Sequence, residues 1–332
     1  MKITENLLKD ILAKFSDKKI LIIGDIMLDN YIIGDVDRIS PEAPVQVVKV
    51  EQEEFRLGGA ANVANNIKSL GAMPLLVGRV GNDSAGKQVL SLLDAKDIST
   101  QGIFIDDSYP TTRKSRVIAR HQHLLRIDFE NTDDLSHTFE QTIKEYIAEL
   151  MPEVDGVILQ DYNKGMLSQA VIKSIIKLSS RHKKIIGVDP KAQNFFEYKN
   201  ATLFKPNRRE ISQNLNVVLQ NNDELVDAAK KLQKKLTCKY VVVTLGEKGA
   251  FVYQQDDQYW QIPTFSQEIY DVSGAGDTVI STLILCLASD CDIRTAAIIA
   301  NHAAGVVCGK VGVATASQNE IIRSFRRWEG KI

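Results

Sequence analysis

The chain has 332 residues, 44% of them apolar and 25% charged, with 41 basic and 42 acidic side chains for a formal net charge of -1. That length buries a substantial core in one large domain or two smaller ones. The balanced charge argues against a polyanion-coating protein, so neither nucleic acid nor a membrane surface is an expected partner.

The N-terminal MKITENLLKDILAKF sets apolar residues at helical spacing between charges, unlike the unbroken apolar core of an export signal, and a cytoplasmic protein is expected. A first β-rich run, KKILIIGD (18–25), ends at Asp25. Four more follow: DGVILQD (155–161), KKIIGVD (183–189), ATLFKPN (201–207) and KYVVVTLG (239–246). Helical patterns separate them, among them AANVANNIKSLG, SQAVIKSIIKLSSRH and DELVDAAKKLQKKL. Continuous apolar strands alternating with helices predict a doubly wound α/β fold, a mostly parallel sheet with helices on both faces. Two stretches break the rhythm, YIIGDVDRISPEAPVQVVKV (31–50) and TTRKSRVIARHQHLLRID (111–128). They read as strands of a small β lid, within about 31–56 and 111–128, on a single domain spanning 1–332.

Asp25, Asp161, Asp189, Asn207 and Gly246 all fall at the carboxyl ends of predicted strands, where open parallel sheets bind ligands. Surface capping explains one or two such residues, whereas five together favour a site. Cys238, Cys286, Cys291 and Cys308 include no C-x-x-C pair, and the five His residues are not spaced among them as zinc ligands, so four reduced core cysteines are expected. The apolar run 279–288 is too short for a membrane span and reads as a buried helix.

Just before that run stands DVSGAGDT (271–278). A helix start presents unpaired N–H groups and partial positive charge, and small residues let an anion reach them. Gly274, Ala275 and Gly276 then form an anion hole, and Asp277 is placed to take a proton from an attacking hydroxyl. An acid that merely complements the helix dipole after a tight turn, worth about 0.3–1 kcal/mol, explains the octapeptide equally well.

Together with GGAANVANNIKSLGA (58–72), DVSGAGDT resembles the two signatures of the ribokinase-like (PfkB) carbohydrate kinases. KPNRRE (205–210) is similar to that family's N-x-x-E element and VVTLGEKGAFV (242–252) to its nucleotide-binding strand and loop; Ser273 stands where Thr is more usual. The resemblance implies a ribokinase-like fold and ATP with Mg2+. It implies Asp277 as catalytic base, Gly274, Ala275 and Gly276 as anion hole, and Asn207 and Glu210 positioning magnesium through water. It also implies Thr244, Gly246 and Gly249 lining the nucleotide site, and Asp29, Gly58, Gly59 and Asn62 at the sugar. Asp25, beside Asp29, is a further candidate for sugar hydroxyls. No Walker A loop occurs and no G-x-G-x-x-G follows the first strand, which weakens P-loop and dinucleotide readings.

Within that family RISPEAPV (38–45), RVIARHQHLLRIDFE (116–130), QDYNKGML (160–167) and VDPK (188–191) resemble the D-glycero-β-D-manno-heptose 7-phosphate kinases. A phosphorylated substrate calls for cations at its distal end, and Arg116, Arg120 and Arg126 are candidates, with Arg38 from the other lid region. A solvated edge-strand face is the alternative for each arginine. Lys164 and Lys191, at strand ends, suit the sugar phosphate or the nucleotide. No H-x-G-H pair occurs before the chain ends after SFRRWEGKI, so the nucleotidyltransferase fused to many such kinases is expected on a separate protein. A homodimer through open lid edges is expected, and monovalent-cation activation is possible through loops near Asp271 and 307–315. The rival readings are a kinase of another sugar, an inactive sugar-binding regulator and a nicotinamide oxidoreductase.

Overall fold

The computed structural model describes residues 3–120, 122–255, 257–265 and 269–328. Helix α1 (Glu5–Ala13), capped by Thr4, turns Leu8, Ile11 and Leu12 inward and leads to strand β1 (Lys19–Gly24). The chain then leaves the body as a long hairpin, β2 (Ile26–Ile39) and β3 (Gln46–Gly59), and returns directly into α2 (Ala60–Ser69). Strand β4 (Met73–Gly81), helix α3 (Ser84–Asp94) and strand β5 (Ile103–Asp106) precede a second hairpin, β6 (Thr112–Ala119) and β7 (Gln122–Phe129).

The winding resumes with α4 (His137–Leu150), β8 (Gly156–Gln160), α5 (Gln169–Arg181), β9 (Ile185–Asp189) and β10 (Leu203–Phe204). Helices α6 (Arg208–Leu215) and α7 (Asn222–Leu236) carry the chain to β11 (Tyr240–Thr244) and the meander β12 (Ala250–Gln254) and β13 (Gln258–Ile262). Three helices complete the described chain: α8 (Ala275–Ala288), α9 (Ile293–Cys308) and α10 (Gln318–Trp328).

Among the described residues the main sheet runs β13-β12-β11-β10-β9-β8-β1-β4-β5, parallel from β11 to β5 and antiparallel at the β12 and β13 edge. The five strands expected from the sequence are contiguous in it, so their carboxyl ends open on one edge. Each strand is apolar on both faces because each face is covered. In β1, Ile20 and Ile22 enter the core beneath α2, α8 and α9, while Leu21 and Ile23 enter the core beneath α5 and α7. Helix α8 is buried from Asp277 to Leu287, which explains its unbroken apolar run. Cys238 and Cys286 are buried as expected, but Cys291 and Cys308 are only partly so; all four are free thiols. No helix among the described residues is long and apolar enough to cross a membrane.

The two hairpins form the separate sheet β3-β2-β6-β7. Its register sorts side chains onto two faces. Asp29 lies opposite Lys114 and Arg56, Tyr31 opposite Arg116 and Glu54, and Arg116 opposite Arg126, which makes one face polar. Ile32 lies opposite Val117, Val117 opposite Leu125, and Ser115 opposite Ile127, which makes the other largely apolar. Residues 41–46 of RISPEAPVQ are exposed at the tip of the first hairpin.

Candidate active site

Gly274 starts α8 with φ +79°, a conformation L side chains rarely adopt, and a Cβ there would lie 2.9 Å from Asn62 Nδ2. Asp277 follows in the first helical turn and is only 4% exposed. Its Oδ2 accepts from Asn62 Nδ2 at 2.7 Å, and its Oδ1 accepts from Gln160 Nε2 at 2.9 Å and Tyr162 Oη at 3.1 Å. Burial, reinforced by the negative charge of Asp189, outweighs these donors and pushes the carboxyl up to about 7. The result is a carboxylate poised to accept a proton near neutrality.

Asn62 is fixed from behind, since Asn66 Nδ2 donates to its backbone oxygen at 2.9 Å while Asn66 Oδ1 accepts from Thr278 Oγ1 at 2.7 Å. A Cβ on Gly276 would sit 3.6 Å from Lys205 Nζ, which itself pairs with Asp189 Oδ2 at 3.0 Å. The helix mouth therefore faces a buried ammonium. Ala275 N–H closes a turn on Val272 O at 3.2 Å, and Gly274 and Gly276, the other two residues expected at the anion hole, flank it at the start of α8.

On one side of this mouth lie the strand ends of β9 to β11. Asn207 and Glu210 cap α6 reciprocally, with Glu210 N–H donating to Asn207 Oδ1 at 2.9 Å and Asn207 N–H to Glu210 Oε2 at 2.8 Å. Lys191 Nζ reaches Glu210 Oε1 at 2.5 Å. Burial alone would lower the Lys191 ammonium, but Asp189 and Glu210 outweigh it and hold it above its ordinary value. Asn207 bridges to Thr244 at the end of β11, and the 3-10 turn Gly246–Lys248 with Gly249 follows.

On the other side stands the polar face of the lid. Arg116 is ion-paired with Asp29, and a Cβ on Gly58 would lie 2.5 Å from Asp29 Oδ2, so a larger residue there would displace the Asp29 carboxylate. Burial opposes the Arg116 charge, yet Asp29 keeps the guanidinium above its usual range. Lys164 and Lys114 converge on Glu130 at 2.9 and 3.3 Å. The loops expected near a monovalent cation also meet, through Asp271, which accepts from Ser273 N at 2.8 Å and Gly312 N at 3.1 Å. Arg56 on the lid donates to Val311 O at 2.7 Å and Val313 O at 3.2 Å, tying the lid to that loop.

The family profile for pfkB carbohydrate kinases matches residues 17–320. The chain belongs to that family. Over 315 residues this pfkB kinase is 43% identical to the Bifunctional protein HldE of Helicobacter pylori (strain J99), covering 95% of the chain and 68% of that protein. It is 40% identical to the Bifunctional protein HldE of Desulfatibacillum aliphaticivorans, covering 96% of the chain and 65% of that protein. Its fold is similar to that of Escherichia coli phosphofructokinase-2 in complex with potassium, with TM-score 0.77, 19% identity, and 94% and 99% of the two chains covered. Arabidopsis thaliana ribokinase complexed with ribose and ATP gives TM-score 0.76, 17% identity, and 93% and 99% covered.

Two residues expected at the sugar are placed otherwise. Asp25 turns its carboxylate to backbone amides, with Oδ2 accepting from Tyr162 N at 2.7 Å and Lys164 N at 3.1 Å, and Oδ1 from Met166 N at 3.1 Å. It clamps a loop, and burial with the nearby charge of Asp161 pushes its carboxyl up to about 6. Arg120 sits beyond the end of β6 with its side chain 70% exposed and paired with Asp35 at 2.7 Å, so it does not join Arg116 on the polar face. Asn62 meets Asp277, and Gly59 hands the chain from β3 to α2. Gln160, Tyr162, Lys205 and Lys114 were not expected. For the first three the available signal was their position at strand ends; for Lys114 it was alternation with Arg116.

Proposed function

We infer that this pfkB kinase phosphorylates the anomeric hydroxyl of D-glycero-β-D-manno-heptose 7-phosphate with ATP, giving the 1,7-bisphosphate on the route to the ADP-heptose of lipopolysaccharide core. The observation that carries the chemistry is the buried Asp277 carboxylate at the amide-lined mouth of α8, beside Lys205. The choice of acceptor rests on the identity with HldE proteins and on the heptose-kinase-like segments of the lid and the 160–167 loop.

In this reading the acceptor lies between Asp277 and the polar lid face. Its anomeric O–H gives the proton to Asp277 as the oxygen bonds to the γ-phosphorus, and the bond from that phosphorus to the β,γ-bridging oxygen breaks. First-turn amides of α8 and the Lys205 ammonium meet the charge on the transferring group. Lys114 and Lys164 supply cations for the distal phosphate, with Asp29 and the Gly58 backbone near the sugar.

Magnesium fits through water. Each Glu210 oxygen already holds one protein donor, as does Asn207 Oδ1, so their remaining lone pairs suit the hydration shell of an ion. Among the described residues no three His, Cys, Asp or Glu side chains converge as direct ligands. When bound, the ion neutralises phosphate charge. Thr244, Gly246 and Gly249 border the nucleotide. Such ATP-linked sugar chemistry belongs in the cytoplasm.

The test is ADP release with MgATP and the heptose 7-phosphate, beside fructose 6-phosphate, ribose and unphosphorylated heptose. A strong preference for the heptose phosphate is expected. Preference for another sugar overturns the acceptor assignment and leaves the kinase chemistry, whereas silence on all four overturns both.

A further inference from the structure

The donors around Asp277 are unevenly divided. A carboxylate oxygen offers about two acceptor positions. Oδ1 holds two donors, the Gln160 amide at 2.9 Å and the Tyr162 hydroxyl at 3.1 Å, while Oδ2 holds one side-chain donor, the Asn62 amide at 2.7 Å. We propose that Tyr162 is a positioning residue for phosphoryl transfer: with Gln160 it fills Oδ1 and so makes Oδ2 the atom that takes the acceptor proton.

The surroundings hold Tyr162 in that post. Its backbone N–H is fixed on Asp25, Asn163 N–H on Asp161 Oδ1 at 2.8 Å, and Lys164 N–H again on Asp25. From the other side, the Lys164 carbonyl accepts from buried Arg79 at 3.1 Å and from Tyr109 Oη at 3.1 Å. A loop pinned by two buried carboxylates and a buried guanidinium is prebuilt. Burial and the Asp277 charge hold the phenol well above its usual range, so it stays a donor.

The inference rests on Asp277 being the base. Charged and titratable groups that bear on Asp277 are Asp189 at the end of β9, Lys191 beyond it, Lys205 after β10, and Tyr162 itself. Tyr162→Phe removes one donor to the ionised carboxylate and leaves those charges in place. The acid limb of kcat/KM, set by the Asp277 proton, should then move up by about half a pH unit to one unit. A merely structural role would lower the rate alike at every pH.

The experiment measures kcat/KM against pH for the parent and Tyr162→Phe with MgATP and the sugar phosphate that the parent turns over. Alongside it, the infrared C=O band of the protonated carboxyl is titrated in the free proteins, with Asp277→Asn identifying the band. The expected result is an upward shift in both titrations. An unmoved infrared titration overturns the inference even if Tyr162→Phe is inactive, and so does an unmoved acid limb. If Asp277→Asn keeps the parental rate, the base assignment falls and this inference with it; if that variant is inactive while Tyr162→Phe titrates like the parent, only the positioning role falls.

Discussion

Asp277 is buried where an amide or a serine would cost less, because burial favours the neutral acid and the three donors offset that only in part. In the proposed role of base, a carboxyl raised to about 7 is matched to its task at neutral pH. Asp277→Asn should lower turnover by roughly 10²- to 10⁴-fold, read in the ADP assay, and the parent should lose kcat/KM as pH falls below about 7. Stability should move the other way. An unfolded carboxyl ionises near 3.8 and the folded one near 7, so the parent loses stability relative to Asn as pH rises through that window. Thermal melts of the two proteins should show a Tm difference that shifts toward Asn between those pH values; a constant difference would mean the folded carboxyl titrates normally. The sequence exposed Asp277 because small residues, an acid and an apolar helix are adjacent in it. Gln160 and Tyr162 were hidden because they lie 117 and 115 residues away and meet Asp277 only once β8 takes its place in the sheet.

At the scale of elements, apolar runs that end in a polar residue were enough to find β1, β8, β9, β10 and β11, since a strand covered on both faces has no other pattern open to it. The partners of each polar end were not legible. Asp25 looks in sequence like a ligand for sugar hydroxyls, yet the turn beyond β8 brings it three N–H groups, and a buried carboxylate takes the donors nearest to it. On β6 alternation places Lys114 and Arg116 together, whereas Arg120, past the strand end at φ +49°, leaves that face. The cations proposed for a distal phosphate are therefore Lys114 on the lid and Lys164 on the loop after β8, whose ammonium groups share Glu130. Lys114→Ala and Lys164→Ala should each raise KM for the sugar phosphate about tenfold or more, as loss of a charge-assisted contact does, and leave KM for ATP near the parental value. Equal rises for both substrates would move these lysines from the acceptor to the general architecture of the cleft.

At the scale of the molecule, the lid sheet has a polar face occupied by the cleft and a second face with far less to cover it. Near the body, Leu28 and Leu57 are buried, but further out Leu125 is 56% exposed, Phe129 48% and Ile127 39%. Both edge strands, β3 and β7, also lack a neighbour on their outer side among the described residues. Apolar side chains beside unpaired strand edges invite a partner, and a second copy offers the same surface, so an isologous pair through the two lids closes without leaving either patch open. The parent should sediment as a dimer. Leu125→Glu places a carboxylate in the interface twice, once from each copy, so even about 1.5 kcal/mol lost per copy weakens association by roughly 10²-fold. Sedimentation equilibrium at micromolar concentration should then show a monomer. Because Arg56 ties β3 to Val311 and Val313, and Val313 lies against Gly274 at the mouth of α8, a lid freed from its partner should also loosen the acceptor side of the cleft. The monomeric variant is therefore expected to lose sugar-phosphate affinity before it loses turnover at saturation; a parent that sediments as a monomer would overturn the pairing of lids, and a Leu125→Glu dimer would place the assembly surface elsewhere.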